Sequence, residues 1–190
     1  TDRDMSNLRG YRPPEKGDPE AIARAAMMIS GAERPILYIG GGVIASGASD
    51  LVRELAEKAN LYVVHTLMGK GAFPESHPLS LGMPGMHGVV PACYALRDAG
   101  LMIAIGARFD DRVTGDLIKI KTGNGVPCVD IDPAEHNKVV QSNVTIAGDA
   151  REVLAQLVPQ VQTRQAGKWE EQLEQWREEY PLRYNEPDEG

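Results

Sequence analysis

At 190 residues, 42% of them hydrophobic and 25% charged, the chain has room for one compact α/β domain with flanking segments. Its formal charge of −7 disfavours binding to a nucleic-acid backbone, which needs clustered Lys and Arg. No apolar run approaches the roughly 20 residues of a membrane helix, and no N-terminal apolar region suggests secretion, so neither a nucleic acid nor a membrane is an expected partner. Cys93 and Cys128 lie far apart in apolar contexts, with no Cys or His at metal-ligand spacing. No metal site is expected, and buried free thiols in a reducing compartment account for both. The chain opens on Thr1 rather than Met, which suggests a segment cut from something longer.

Residues 1–17 carry Arg3, Arg9, Arg12, Pro13 and Pro14 with little apolar content, and read as a linker or extended arm. Asp18-Pro19-Glu20 supplies an N-cap, a proline at the first helical position and an acid in the first turn. Ile22, Ala25, Ala26 and Ile29 follow at helical spacing, predicting a helix over 18–30. Pro35 to Ile39 is a short apolar run that suits a buried parallel strand. A second helix is predicted to start between Ser46 and Ser49, with Val52, Leu55, Ala56 and Ala59 inward, followed by a strand over Leu61 to His65.

Gly88 to Ala99 reads as a helix with Val89, Ala92, Cys93 and Leu96 inward, and Leu101 to Ile105 as another buried strand. Val126 to Ile131 and Val144 to Ala147 complete the strands, and a helix is expected from Asp149 to Val158. Trp169 to Tyr180 is charged and helical in pattern, and reads as peripheral. The division is therefore an arm over 1–17, a central domain over 18–160, and a linker with a peripheral helix over 161–190.

Strands that alternate with helices predict a doubly wound, mostly parallel sheet, because parallel strands need crossover connections. Ligands on such sheets sit beyond the carboxyl ends of the strands, and the unusual residues of this chain cluster there. Gly40 to Ala45 fits G-x-G-x-x-A, where glycines let a phosphate reach backbone N–H groups. A tight strand-to-helix turn explains the same residues. The next strand ends on His65-Thr66 with no carboxylate, which argues against a standard NAD site.

Ser80 to Gly88 packs three glycines, two methionines and a histidine into nine residues before a helix. Methionines offer adaptable contact to flat rings; a packed loop with His87 facing solvent is the alternative. Gly106 to Gly115, GARFDDRVTG, follows a buried strand. Its arginines suit bidentate phosphate contacts, and its aspartates can hold the guanidinium planes. Asp130, Asp132 and Asp149 end later strands, and each can accept from ribose hydroxyls or an adenine amino group, or simply cap a helix.

The ordered set GGGVIASGA, TLMGKGAFPESHPLSLGMPGMHG, GARFDDRVTG, DIDPAE and GDA closely resembles the middle domain of the large, catalytic subunit of acetolactate synthase, over roughly Pro35 to Leu157. That family is thiamine-diphosphate-dependent. It decarboxylates pyruvate and joins the product to a second 2-keto acid, opening branched-chain amino acid biosynthesis. The resemblance implies a Rossmann-like domain that binds FAD, a flavin that performs no net redox. It would place Gly41, Gly42, Thr66, Leu67, Met68, Met86, His87, Gly106, Ala107, Arg108, Asp110, Arg112, Val113, Asp130, Ile131 and Asp149 along the FAD. Met86, Asp111 and Arg112 would also stand at the mouth of the catalytic channel, where the family's herbicides bind.

The resemblance further implies a homo-oligomer, a small regulatory subunit, and a bacterial cytoplasm or a plant plastid. Thiamine diphosphate and Mg2+ would be held by neighbouring domains, so no catalytic residue is expected in this segment. Two residues depart from the pattern: Lys70 stands where an apolar residue is expected, and Pro84 interrupts the glycine-methionine loop. Glyoxylate carboligase and pyruvate oxidase middle domains, or a cofactor-free interdomain module, are the competing readings.

Overall fold

The computed structural model describes residues 16–107, 127–130 and 142–182. Helix α1 (Pro19–Ser30) starts as predicted: the Asp18 carboxylate accepts from the Glu20 and Ala21 amides at 3.2 and 3.3 Å. Its stripe of Ala21, Ile22, Ala25, Ala26 and Ile29 is buried. Strand β1 (Pro35–Ile39) is buried along its whole length, the pattern of a strand covered on both faces.

The connection to strand β2 (Tyr62–His65) differs from expectation. A five-residue helix α2 (Gly41–Ala45) comes first, and α3 (Ser49–Ala59) follows. Between them Gly47 adopts φ +65, a conformation that breaks a right-handed helix and suits glycine. The glycines after β1 therefore begin a helix at once, well before the apolar period of α3 announces one. A short 3-10 turn (Leu67–Gly69) and strand β3 (Ser80–Gly82) come next. β3 sits within the stretch read as a loop; at three residues it is too short to show a strand period.

Helix α4 (Val90–Asp98), strands β4 (Leu101–Ile105), β5 (Pro127–Asp130) and β6 (Val144–Ala147), helix α5 (Ala150–Leu157) with a 3-10 turn after it (Val158–Gln160), and helix α6 (Lys168–Glu179) complete the described elements. In α4 the buried residues are Pro91, Ala92, Ala95 and Leu96; Val89 and Cys93 are only half-buried. Of the two thiols, only Cys128 is buried.

All strand pairs are parallel, in the order β3-β2-β1-β4-β5-β6. The α/β doubly wound expectation therefore holds. The pleat sorts β1 cleanly: Leu37 and Ile39 face α1, α3 and α5, whereas Ile36 and Tyr38 face the α4 and α6 side.

Helix α6 corrects the sequence reading. It is not peripheral: Trp169 and Leu173 are buried against Tyr62 and Ala95, and the Trp169 indole Nε1 donates to the Pro35 carbonyl at 3.0 Å. Its many charges mark one outward face, and two large apolar residues four apart suffice to bury the other. The Tyr62 hydroxyl donates to Glu174, and Arg177 donates to the Pro78 carbonyl, so the helix is tied to the β2–β3 edge. No helix among the described residues is long and apolar enough to cross a membrane.

Candidate functional site

Order 3-2-1-4-5-6 reverses direction between β1 and β4, and the crevice beyond their carboxyl ends is where such sheets bind ligands. Here that crossing is built from glycine backbone. A Cβ on Gly40 would lie 2.2 Å from the Gly106 carbonyl oxygen, and one on Gly42 would lie 2.7 Å from the Gly106 Cα. Gly106 itself has φ +56. The amides are committed as well: Gly40 N–H donates to the Ile105 carbonyl at 3.0 Å, and Gly42 N–H to the Gly106 carbonyl at 2.9 Å. Val43 N–H donates to the Gly40 carbonyl at 3.2 Å.

These amides would form the phosphate cradle of a standard dinucleotide fold. The Gly40 and Gly42 amides are spent on joining the end of β1 to the end of β4 and the Val43 amide on the turn itself, and strand β2 ends on His65 without a carboxylate. Of the two roles open to G-x-G-x-x-A, the geometry therefore favours the tight turn, and it leaves no NAD-type phosphate site at Gly42.

A cleft of about 170 Å³ opens beside this crossing and brings together Gly42, Gly106, Asp130 and Asp149, four of the residues singled out from sequence. Strand β5 ends on Asp130, and Asp149 follows β6. One oxygen of Asp149, Oδ1, accepts from the Arg151 and Glu152 amides at 2.9 and 3.3 Å, so this carboxylate caps α5 and borders the cleft together. The described wall carries two acids and no base, which suits hydroxyl or amino donors rather than phosphate. Cys128, two residues before Asp130, has its thiol pushed up to about 12, by burial first and by the Asp130 charge second. It is a buried, inert thiol rather than a nucleophile.

A second cleft, of about 360 Å³, opens at the ends of β2 and β3. Leu67 and His87 border it, with Leu81 and Met83 as apolar wall. Thr66 fixes the turn after β2: its Oγ1 accepts from the Gly69 amide at 3.0 Å, and its own N–H donates to the Ile39 carbonyl at 2.9 Å. Three apolar side chains of this edge stand in solvent: Leu67 is 68% exposed, Met68 73% and Met86 81%. Met68 lies against the start of α2, where a Cβ on Gly41 would stand 3.2 Å from the Met68 Cβ. The methionine loop is pinned from behind by α4, where the Gly85 amide donates to Cys93 Sγ at 3.4 Å.

Ala107 is buried directly after Gly106. Arg108, Asp110, Asp111, Arg112, Val113 and Ile131 lie outside the described residues. Sequence reasoning missed His65, Glu75, Arg177 and Tyr180, all of which border the second cleft. His65 carried a signal, as the last residue of a predicted strand. Arg177 lies about a hundred residues along the chain from its contact at Pro78 and carried none.

Residues 22–157 match the family described as thiamine pyrophosphate enzyme, central domain. The chain is 45% identical over 185 residues to the acetolactate synthase large subunit of Corynebacterium glutamicum, covering 95% of this chain and 30% of that protein. It is 44% identical over 190 residues to an acetolactate synthase of Mycobacterium avium, covering 97% and 31%. Against the acetolactate synthase isozyme 1 large subunit of Escherichia coli K12 it is 48% identical over 162 residues, covering 85% and 28%. The chain thus spans about three-tenths of the length of the relatives it matches.

Proposed function

The chain belongs to the central-domain family of the thiamine pyrophosphate enzymes, and from that premise we propose that it is the FAD-binding middle domain of an acetolactate synthase large subunit. The observation that carries this reading is the cleft at the β1–β4 crossing, where Gly42, Gly106, Asp130 and Asp149 meet. Its acidic wall suits the ribose hydroxyls and adenine amino group of the nucleotide half. About 170 Å³ holds only part of a dinucleotide, since whole ligand pockets run from about 300 to 1,000 Å³. The second cleft, with Leu67, Leu81 and Met83 in its wall, offers the apolar and thioether surface that a flat ring needs.

Arg108 and Arg112 are the phosphate partners in this reading, and Met86, Asp111 and Arg112 border the channel to the catalytic centre. FAD bound here completes that channel and takes no net electrons. The whole enzyme would condense pyruvate with a second 2-keto acid, on thiamine diphosphate and Mg2+ held by domains outside this chain. Relatives named as large subunits support a small regulatory subunit as partner, within a homo-oligomer in the cytoplasm.

Titration with FAD, followed by flavin fluorescence, tests the reading. Saturable binding that weakens about tenfold or more in Asp130→Ala and in Arg112→Ala is expected, each removing a contact of charged character. A second reading, a middle domain without a nucleotide, draws support from glycine amides already spent within the protein. It predicts no saturable binding even in the full-length polypeptide, and that result would replace the first.

A further inference from the structure

Both tryptophans of the chain and two of its six tyrosines stand in one file between α4 and α6. Trp169 meets Trp176 with ring centroids 6.0 Å apart, Trp176 meets Tyr94 at 5.5 Å, and Tyr94 meets Tyr180 at 5.7 Å, each pair edge to face. Burial accounts for only one end of the file. Trp169 is buried, whereas Tyr94 and Trp176 are half-buried and Tyr180 is 38% exposed. The rings are nevertheless held in place. Trp169 donates to the Pro35 carbonyl, and the Arg97 guanidinium lies 4.5 Å from the centre of the Tyr94 ring. Asp98 grips that guanidinium at 2.8 and 2.6 Å.

The two ends of the file open on different cavities. Tyr180 borders the second cleft, together with Met83. Trp169 and Trp176 border a groove of about 530 Å³ near the start of β1, where Arg34 also stands. Ring contact therefore runs unbroken from the cleft to a separate surface. Tyr and Trp side chains give up single electrons, Tyr readily only where its proton has an acceptor. Tyr180 has one: its hydroxyl donates to Glu179, the leading reason that its pKa is pushed up to about 12. Tyr94 is hydrogen-bonded to Tyr180 in turn.

We propose that Tyr180, Tyr94, Trp176 and Trp169 form an electron-transfer path that serves a light-excited flavin in the second cleft. This rests on the flavin reading above. Tyr180 gives one electron to the excited ring and its proton to Glu179. Tyr94 passes an electron and its proton to Tyr180 across their hydrogen bond. When Trp176 then gives an electron to Tyr94, the proton held by Glu179 returns through Tyr180. Both phenols are whole again, and the vacancy is a tryptophan radical cation shared along α6 with Trp169. The electron finally returns from the ring, so no bond is made or broken overall. The path draws the oxidising vacancy away from Met83 and Met86, whose thioethers are open to oxidation.

The test is flash photolysis of the intact polypeptide loaded with FAD, read by transient absorption. Wild type should show a tryptophan radical after the flash. Tyr94→Phe keeps a ring in the file but removes the oxidisable phenol, and Trp176→Phe removes the first indole. Both variants should bind FAD and lose the tryptophan signal, which a packing role alone would leave in place. A tryptophan signal unchanged in both variants, or no aromatic radical in wild type that has bound FAD, overturns the proposal and leaves flavin binding standing. Failure of wild type to bind FAD overturns the flavin reading and this proposal with it.

Discussion

The two clefts along the carboxyl edge of the sheet are built from different materials. At the β1–β4 crossing the contacts are backbone to backbone: Gly40, Gly42 and Gly106 leave no room for a Cβ, and their amides are paired. At the β2–β3 edge the cleft is lined by side chains, His65, Leu67, Lys70 and Glu75 among them, and Met68 and Met86 stand exposed on the adjoining segments. The first region fixes the geometry of the sheet and takes its chemistry from two carboxylates at neighbouring strand ends. The second has room to vary without disturbing the strands. Substitutions of the crossing glycines should therefore be structural, and substitutions of the side chains at the β2–β3 edge functional.

The largest expected effect is at Gly106. A side chain there is strained at φ +56, and its Cβ would stand 2.7 Å from the Gly42 Cα. Strain costs on the order of 1–3 kcal/mol, and crowding against backbone that cannot yield adds roughly as much. Gly106→Val should lose about 3 kcal/mol or more in denaturant unfolding. A loss under about 1 kcal/mol would show that the crossing is not built on backbone contact.

Next comes Tyr62, whose hydroxyl donates to Glu174 and helps to hold α6 on the β2–β3 edge. Tyr62→Phe should cost about 1 kcal/mol near neutral pH. The phenol's pKa is raised by burial first and by the Glu174 hydrogen bond second. A raised folded pKa gives stability that is complete below the unfolded value of about 10 and is lost as pH rises beyond it. Wild type should therefore lose its advantage over Tyr62→Phe in unfolding measured above about pH 10. An advantage that grows with pH would contradict the contact.

Asp149→Ala is expected to cost about the same or slightly less, roughly 0.5–2 kcal/mol for a helix N-cap. It sharpens the comparison because Asp149 caps α5 and also borders the first cleft. Asp149→Asn keeps a capping oxygen and should restore most of the stability. Restored stability together with full FAD affinity would leave Asp149 as a cap only.

The sequence revealed the frame well, since apolar runs with Pro and Gly at their ends locate β1, β2 and β4, and Asp18-Pro19 locates α1. It also placed Gly42, Gly106, Asp130 and Asp149 at strand ends, and parallel strand order brings those ends together. Other features were hidden for physical reasons. The α2–α3 break depends on the φ of Gly47, which no pattern states. β3 is shorter than one strand period. The burial of α6 depends on an indole reaching Pro35, and the rim at Glu75 and Arg177 forms only when distant segments close on β2. Local period is written along the chain, whereas a cleft wall made of side chains from several elements is not.

Met68 and Met86 give the smallest stability effect and the strictest test of the contrast. At 73% and 81% exposure neither contributes appreciably to a core, and surface changes of this kind stay within about 0.5 kcal/mol. Met68→Ala and Met86→Ala should unfold with wild type. If the methionine edge is contact surface for a flat ring, the same variants should weaken FAD binding several-fold, because polarizable area over the ring is lost. Equal stability with weaker binding places function at the methionine edge and structure at the crossing glycines. Lower stability with unchanged binding would reverse that assignment and make the methionines part of the packing.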